Sequence, residues 1–541
     1  MDEMIKRDLE TYKFLKSKAE YAFNKGYYEQ ALDYIYLAAT LAWQFHIGIW
    51  YDDGLEHLLL IIGKRLTDRK NTAFRKANEG RGKRKKAIYI VSHLYDVGGH
   101  SRILTEWANL LSDFFNDQHV YVTNVTNGPT VSPYMINKLK RKVAIKQFIW
   151  WDSYTNRIKK LTELIEAESP DAIILFIHPN DIIAVSSLLA LTNKPHTIFF
   201  NHSDHTFWLG RNVADLVVEW RVEGARLSKK FRKIDRIAMV PLITTIKPKK
   251  MPKTIFGIPE TATVSISIGS FYKVIGNSYV NYFKTMEKLL NIFPNHYHLF
   301  VTTPPPKNVI KKYLPVNQDV RKRFLITGPY KSLEPIYGVA DFLIETFPLS
   351  GGTIRLEAIA SGLPIVAFQN EEIPFTTKIG MLPPNYPFLA YTAEDIVNYS
   401  SGFIQNQELR SKTGAWLYEY YKQNFGSEKT RKLLINILAK KNFKSTDVQL
   451  IDAGKKIDYD IATYRRLFSQ WNHFLKNKML LRQALSKSSK FSLRDRIRFY
   501  VDSLKNYESK SIKTLISGTF FTFLGWRVAI LYWLLKSKIL E

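Results

Sequence analysis

The sequence predicts an α/β protein: two doubly wound parallel-sheet units in series, facing each other across a cleft. A helical hairpin precedes them and a basic helical tail follows. Three observations carry this. Short β-rich runs alternate with helical patterns from Ala87 onward, as a parallel sheet covered by helices requires. The same alternation restarts at Thr263. Of the 541 residues 45% are hydrophobic and 14% aromatic, enough for a large core and too many for a mainly disordered chain.

Residues 1–80 read as helices followed by a linker. Ala19, Ala22, Gly26, Tyr28, Ala31 and Ala38 are spaced much as in a tetratricopeptide helix pair, where small residues let helices approach closely. No second copy follows, and a plain amphipathic hairpin docked on the next unit fits the same residues. Residues 64–86 hold eleven Lys/Arg against two acids and read as a basic linker. Residues 81–250 form the first α/β unit, with strand runs AIYIVSHLY, HVYVTNV, DAIILFI and HTIFFNH. Residues 251–440 form the second, with TVSISIGS, HYHLFVTT, FLITGP, DFLIET and PIVAF. In such units ligands sit at the carboxyl ends of the strands, here in the cleft. Residues 441–541 carry 20 Lys/Arg and 8 Asp/Glu, a net +12, with interleaved aromatics and a helical pattern.

The whole chain carries 78 Lys/Arg and 49 Asp/Glu, a surplus of 29, which points to an anionic partner: phosphorylated substrate, acidic membrane face or nucleic acid. The absence of cysteine excludes a disulfide scaffold, thiol catalysis and Cys-ligated metal, and fits a reducing cytoplasm. The charged N-terminus does not read as a secretory signal. The apolar run at residues 516–535 reaches bilayer-spanning length, but Arg527 within it favours lying at the interface.

The most informative stretch is DFLIETFPLSGGTIRLEAIASGLPIVAF. A strand ends near Glu345, Gly351 and Gly352 permit a tight turn, and Thr353 opens a helix. A helix N-terminus offers free N–H groups and a positive dipole end, suited to a phosphate. Glu357, in the first helical turns, suits a ribose diol. A glycine pair alone would mark only an ordinary strand–turn–helix junction; here Glu345, the pair, Thr353 and Glu357 coincide.

This stretch resembles the donor-nucleotide motif of GT-B glycosyltransferases. It is similar to the DTFPxxGGTTxxDAL pattern of the O-GlcNAc-transferase and HMW1C-like family, and to the LEAxAxGxPVVA tail of the retaining GT-4 family. The resemblance implies the GT-B fold, two Rossmann-like domains across a cleft, over roughly residues 87–440. It implies that Glu357 binds the nucleotide ribose and that Gly351, Gly352 and Thr353 meet the diphosphate. GT-4 enzymes usually carry a further Glu eight residues before the ribose Glu. Here that position is Leu349, with Glu345 four residues earlier, so retaining and inverting chemistry both stay open.

SISIGSFYKVIGNSYVNYFKTMEKLLNIF is similar to the segment whose Lys pairs with the donor diphosphate, which implies that role for Lys273. SHLYDVGGHSRILTEWANLL resembles the glycine loop of GT-4 enzymes, placing Gly98 and Gly99 at donor phosphates or acceptor. In FFNHSDHTFWLG, His202, Asp204 and His205 follow a strand into the cleft, and Trp208 suits a sugar face. The resemblance gives His202 a contact with the donor sugar. Asp204 is the candidate base for an inverting acceptor attack, with a turn capping the next helix as its plain alternative. His178 is a further cleft candidate, beside Asn180 and Asp181 as helix caps. Tyr330 stacks on the nucleobase or merely packs. RVEGARLSKKFR reads as a solvated helix face, with Arg226 toward an acceptor phosphate as the other reading.

The expectation is therefore a glycosyltransferase using a nucleotide-sugar donor without metal or other cofactor. The acceptor expected is a glycan, lipid-linked glycan or protein. Cell-surface polysaccharide or glycolipid synthesis is favoured, at the inner face of the cell membrane in the cytoplasm, on an anionic surface. The alternatives are a protein O-glycosyltransferase and a non-enzymatic membrane- or nucleic-acid-binding protein on a GT-B scaffold. Nucleic acid is not an expected partner of the enzyme.

Overall fold

The computed structural model describes residues 3–67 and 85–439, apart from segments 96–98, 127–130, 140–142, 149–151, 277, 316 and 374–380, together with residues 462 and 463. Most of the basic linker, Gly98, and the tail with its 516–535 run lie outside the described residues.

The chain opens with α1 (Glu3–Asn24) and α2 (Tyr28–Phe45), turned at Gly26 with φ 77°, and continues into α3 (Asp53–Thr67). Ala19, Ala22, Ala31 and Ala38 are buried, as close helix packing requires. Residues 31–42 of α2 are buried without interruption. A helix apolar all round belongs inside a structure, and α2 shares one apolar cluster with the first sheet.

That sheet follows in βα steps: β1 (Lys86–Val91), α4 (Gly99–Leu110), β2 (Asp117–Val122), α5 (Pro133–Asn137), β3 (Ala144–Gln147), α6 (Tyr154–Glu168) and β4 (Ala172–Phe176). It continues through α7 (Ile182–Ala190), β5 (His196–Phe200), β6 (Leu216–Glu219), α8 (Val222–Arg232) and β7 (Ile237–Met239). All its strands are parallel, in the order β3-β2-β1-β4-β5-β6-β7. β4 and β5 are buried at every residue, which is why β4 reads as an unbroken apolar run and β5 ends in one.

The second sheet comprises β8 (Thr263–Ile268), α9 (Tyr282–Ile292), β9 (His296–Val301), α10 (Lys307–Ile310), α11 (Gln318–Arg323), β10 (Phe324–Thr327) and α12 (Glu334–Val339). It closes with β11 (Phe342–Ile344), α13 (Gly352–Ala360), β12 (Ile365–Phe368) and β13 (Leu389–Ala390). Its order is β10-β9-β8-β11-β12-β13, again parallel. In each sheet the winding reverses beside its first strand, between β1 and β4 and between β8 and β11. Those are the points where a doubly wound sheet opens a crevice.

Three helices end the described chain: α14 (Ala393–Gln405), α15 (Gln407–Phe425) and α16 (Ser427–Ala439). α16 returns to the first unit, where His196 Nε2 lies 3.2 Å from the Ile437 carbonyl and Arg431 Nε donates to the Leu110 carbonyl at 3.2 Å. One apolar cluster includes strands of both sheets together with Leu434, Ile437 and Leu438. Among the described residues no helix is long and apolar enough to cross a membrane.

Candidate functional site at the junction of the two units

The site is built on the start of α13. β11 delivers the chain to residues 345–350, and α13 begins at Gly352 with Gly351 as N-cap and no capping side chain. Its first N–H groups are thereby left to an external acceptor. Lys273, just after β8, brings its ammonium to this turn. Nζ lies 3.4 Å from the Ser350 carbonyl, and a Cβ at Gly351 would stand 3.1 Å from it. Glycine is what admits the lysine there. Burial pushes the Lys273 ammonium down to about 8, with the charge of Glu345 opposing the fall. Lys273, Gly351, Gly352 and Thr353 are thus gathered at one helix terminus.

Glu357, later on α13, is buried. It accepts from the Tyr337 hydroxyl on Oε2 at 3.0 Å and from Arg102 Nη1 on Oε1. Arg102 lies on α4, so this ion pair crosses the cleft. Two close approaches run beside it. A Cβ at Gly99 would lie 3.2 Å from Thr353 Cγ2, and one at Gly352 would lie 2.8 Å from the Trp220 ring. The starts of α4 and α13 therefore rest on each other. Arg102, Tyr134, Lys138, Thr244, Lys331 and Glu357 line a pocket at this junction.

Tyr330 is half-buried; its hydroxyl meets Thr327 Oγ1 and its ring stands edge-on to Phe256 at 6.4 Å.

On the first unit, three neighbouring strands, β1, β4 and β5, are each followed by a histidine. His93, His178 and His202 gather there, and His100 of α4 joins them. His202 stacks on His100 with ring centroids 5.3 Å apart, and His93 and His178 are 5.1 Å apart. His100 follows Gly99, where a Cβ would lie against Thr353 at the start of α13. Burial, and for His93, His178 and His202 also the neighbouring histidines, holds these rings neutral. His202 is pushed down to about 3, His93 and His100 to about 4, and His178 well below the usual histidine range. A ring this reluctant to protonate suits a hydrogen bond to a sugar hydroxyl better than base catalysis. Among the described residues no group of three or more His, Asp or Glu side chains is placed to hold a metal ion.

Asp204 is a correction. It is 1% exposed and forms a two-bond ion pair with Arg221, so its carboxyl lies well below the ordinary range and does not face the cleft as a base. Desolvation opposes this shift, and the Arg221 charge overcomes it. Arg232 donates to the Asp204 carbonyl at 2.8 Å, so α8 is not simply a solvated face. Trp208 is also corrected: it is 1% exposed and stacked on Phe199 at 4.3 Å, inside the first unit. Glu345 is locked by Arg355 through two bonds of 2.6 Å and accepts from Phe368 N at 3.0 Å. Leu349 packs against Trp50, Leu227 and Ile373. Asp181 is the cap of α7, accepting from Ile183 N and Ala184 N.

Sequence reasoning passed over Arg102, Trp220 and Tyr337. Arg102 alone had a signal, as the cation in the first turn after the glycine pair.

No family model matches the chain, and no curated protein matches it. Among solved structures it is similar to a glycosyltransferase from Rickettsia africae, at 14% identity and a TM-score of 0.51, over 66% of this chain and 98% of that one. It is also similar to a mutant of Staphylococcus aureus TarM in complex with fondaparinux, α-GlcNAc-glycerol and UDP. There the identity is 10% and the TM-score 0.50, over 66% of this chain and 100% of that one. The two parallel sheets and these likenesses define a GT-B fold.

Proposed function

We propose that the protein is a glycosyltransferase that moves a sugar from a nucleotide-sugar donor to an acceptor. The observation that carries this is the meeting of Lys273, the uncapped start of α13 and Glu357 at one end of the second sheet. A leaving nucleoside diphosphate gains negative charge as the glycosidic bond breaks, and a cation beside a helix N-terminus is placed to stabilise it without a metal. The similar TarM structure contains UDP, which supports a nucleotide-sugar donor. His202 contacts the transferred sugar. With Asp204 and Glu345 each locked to an arginine and the cleft imidazoles held neutral, the acceptor proton passes to a donor phosphate oxygen.

The acceptor we infer is a lipid-linked or cell-surface glycan handled at an anionic membrane face. Its support is compositional: the +12 tail and the aromatic-rich run at 516–535. The protein-acceptor alternative drew on the helical hairpin, and α2 spends its faces on packing rather than on a free groove.

Two measurements test the reading. Turnover with a panel of UDP-, GDP- and dTDP-sugars should appear with at least one donor and fall by at least about tenfold in Lys273→Ala; no turnover with any donor, together with tight salt-sensitive RNA binding, would favour a non-enzymatic protein. Full-length protein should co-sediment with anionic vesicles, and a chain lacking residues 510–541 should stay in solution and still cleave the donor. Indifference to vesicles would remove the membrane reading and leave the enzymatic one.

A further inference from the structure

Both carboxylate oxygens of Glu357 are engaged by the chain itself. Tyr337, from the same unit, is buried and holds Oε2. Arg102, from the other unit, holds Oε1; its side chain is 22% exposed against 5% for Glu357. The arginine therefore covers the open side of the carboxylate. What it presents there is an N–H donor, and a ribose diol would present O–H donors to the same oxygens. The contact is also the polar part of a seam: Gly99 lies on Thr353 and Trp220 on Gly352, so the first turn of α4 and the residue after β6 both close on the first turn of α13.

We propose that Arg102 is an intramolecular stand-in for the nucleotide ribose, latching the two units through Glu357 until a nucleoside diphosphate displaces it. This rests on the reading of α13 as the nucleotide site. Ribose and Arg102 compete for one carboxylate, whereas a ligand that meets only Lys273 and the helix terminus leaves the latch in place. Arg102 is thus a positioning residue. It orients Glu357, and it couples domain opening to the ribose rather than to the phosphates. If only about a tenth to a third of the molecules are unlatched, apparent nucleotide affinity is lowered about three- to tenfold.

The test uses the full chain as wild type, Arg102→Ala and Arg102→Lys, with melting temperatures confirming that each is folded. Calorimetric titrations use UDP, GDP and ADP, the 2′,3′-dideoxy form of whichever binds wild type best, and inorganic pyrophosphate. X-ray scattering without ligand reports separation of the units. Arg102→Ala should raise affinity for the ribose-bearing diphosphate about three- to tenfold. It should leave the dideoxy form and pyrophosphate within about twofold and increase the radius of gyration, with Arg102→Lys falling between. Weaker nucleotide binding in Arg102→Ala, or an equal shift for pyrophosphate, would make Arg102 a direct donor contact and overturn the latch. Unchanged affinity and scattering would reduce the pair to a static contact. If wild type binds none of the probes, the nucleotide reading fails separately. Scattering still judges the latch, because an Arg102→Ala protein no more open than wild type removes it.

Discussion

Asp204 and Arg221 are joined by two hydrogen bonds, Nε to Oδ2 at 2.5 Å and Nη2 to Oδ1 at 2.7 Å, with neither side chain more than 4% exposed. The pair fastens the loop after β5 to the residue two positions beyond β6. Removing one member of a buried ion pair leaves the other charged and unpaired, at a cost of about 3–5 kcal/mol. Asp204→Asn is therefore expected to melt several degrees lower, while turnover by the protein that remains folded stays close to wild type. A general base would behave in the opposite way, with unchanged melting and a loss of about 10²–10⁴ in kcat. Thermal melts and kcat measured on one preparation separate the two.

Glu219 adds a pH dependence. It is fully buried, and it accepts from Asn201 Nδ2 at 2.7 Å and Ser228 Oγ at 2.5 Å, both on Oε1. Its other oxygen and Asp204 Oδ2 would each lie 2.6 Å from a Cβ at Gly224, so the two carboxyls crowd one point. Burial and the Asp204 charge raise Glu219 from 4.5 to about 8, despite the two hydrogen bonds and Arg232. Between those values the folded chain binds a proton that the unfolded chain has released. Its stability contribution is thus full below about 4.5 and falls as pH rises toward 8. Denaturant midpoints across that range should decline in wild type and flatten in Glu219→Gln. Equal slopes in both would show that Glu219 is ionised in the fold.

The N-terminal helices are expected to be inseparable from the first unit. Glu56 on α3 accepts from the backbone N–H groups of Gly210, Arg211 and Asn212 at 2.7, 3.0 and 2.8 Å. Glu29 on α2 accepts from Tyr154 N and Thr155 N at the start of α6. Asn180, in the loop between β4 and α7, donates to Thr40 at 2.8 Å. Glu56→Gln leaves one of those N–H groups unpaired and should lower stability by about 1–3 kcal/mol. Deleting residues 1–67 should expose α6 and α7 to rapid proteolysis. A deleted chain that resists protease and keeps its melting temperature would show that the helices are an appendage.

How far the sequence could be read follows the range of the interactions. β1 and β4 were legible because strands buried on both faces read as continuous apolar runs, and β5 and β8 because β-branched and aromatic residues fill short runs bounded by turn residues. β6, β7 and β13 have only four, three and two residues and carry no such signal. The gathering of Lys273 with Gly351, Gly352 and Thr353 was legible because strand ends and helix starts are local events. Asp204 was not, because the same residue after a strand serves as a base or as an ion-pair partner. Arg221, seventeen residues on, decides which. Trp208 failed likewise: its loop turns back so that the ring meets Phe199. Arg102 and Glu357 lie 255 residues apart in sequence, and only the closure of the two units brings them together.

The lysine at the start of α13 gives the sharpest test of the site. Its ammonium is half-buried against Gly351 and held down to about 8, from an ordinary value of 10.5, chiefly by burial. A diphosphate binds the charged form. Below pH 8 the free protein already carries that charge. Above it, binding must first restore a proton, so affinity for a diphosphate should fall by up to about tenfold per pH unit. Lys273→Arg keeps its charge throughout and should give a flat profile from pH 6.5 to 9.5, whatever its absolute affinity. Lys273→Ala removes a charge-assisted bond of about 1.5–3 kcal/mol and should lower donor turnover by at least about tenfold without unfolding the chain. Glu357→Ala should do the same through the ribose. Its loss should appear with nucleoside diphosphates and not with pyrophosphate, whereas that of Lys273→Ala should appear with both. A flat wild-type profile together with undiminished turnover in Lys273→Ala would place the diphosphate away from α13.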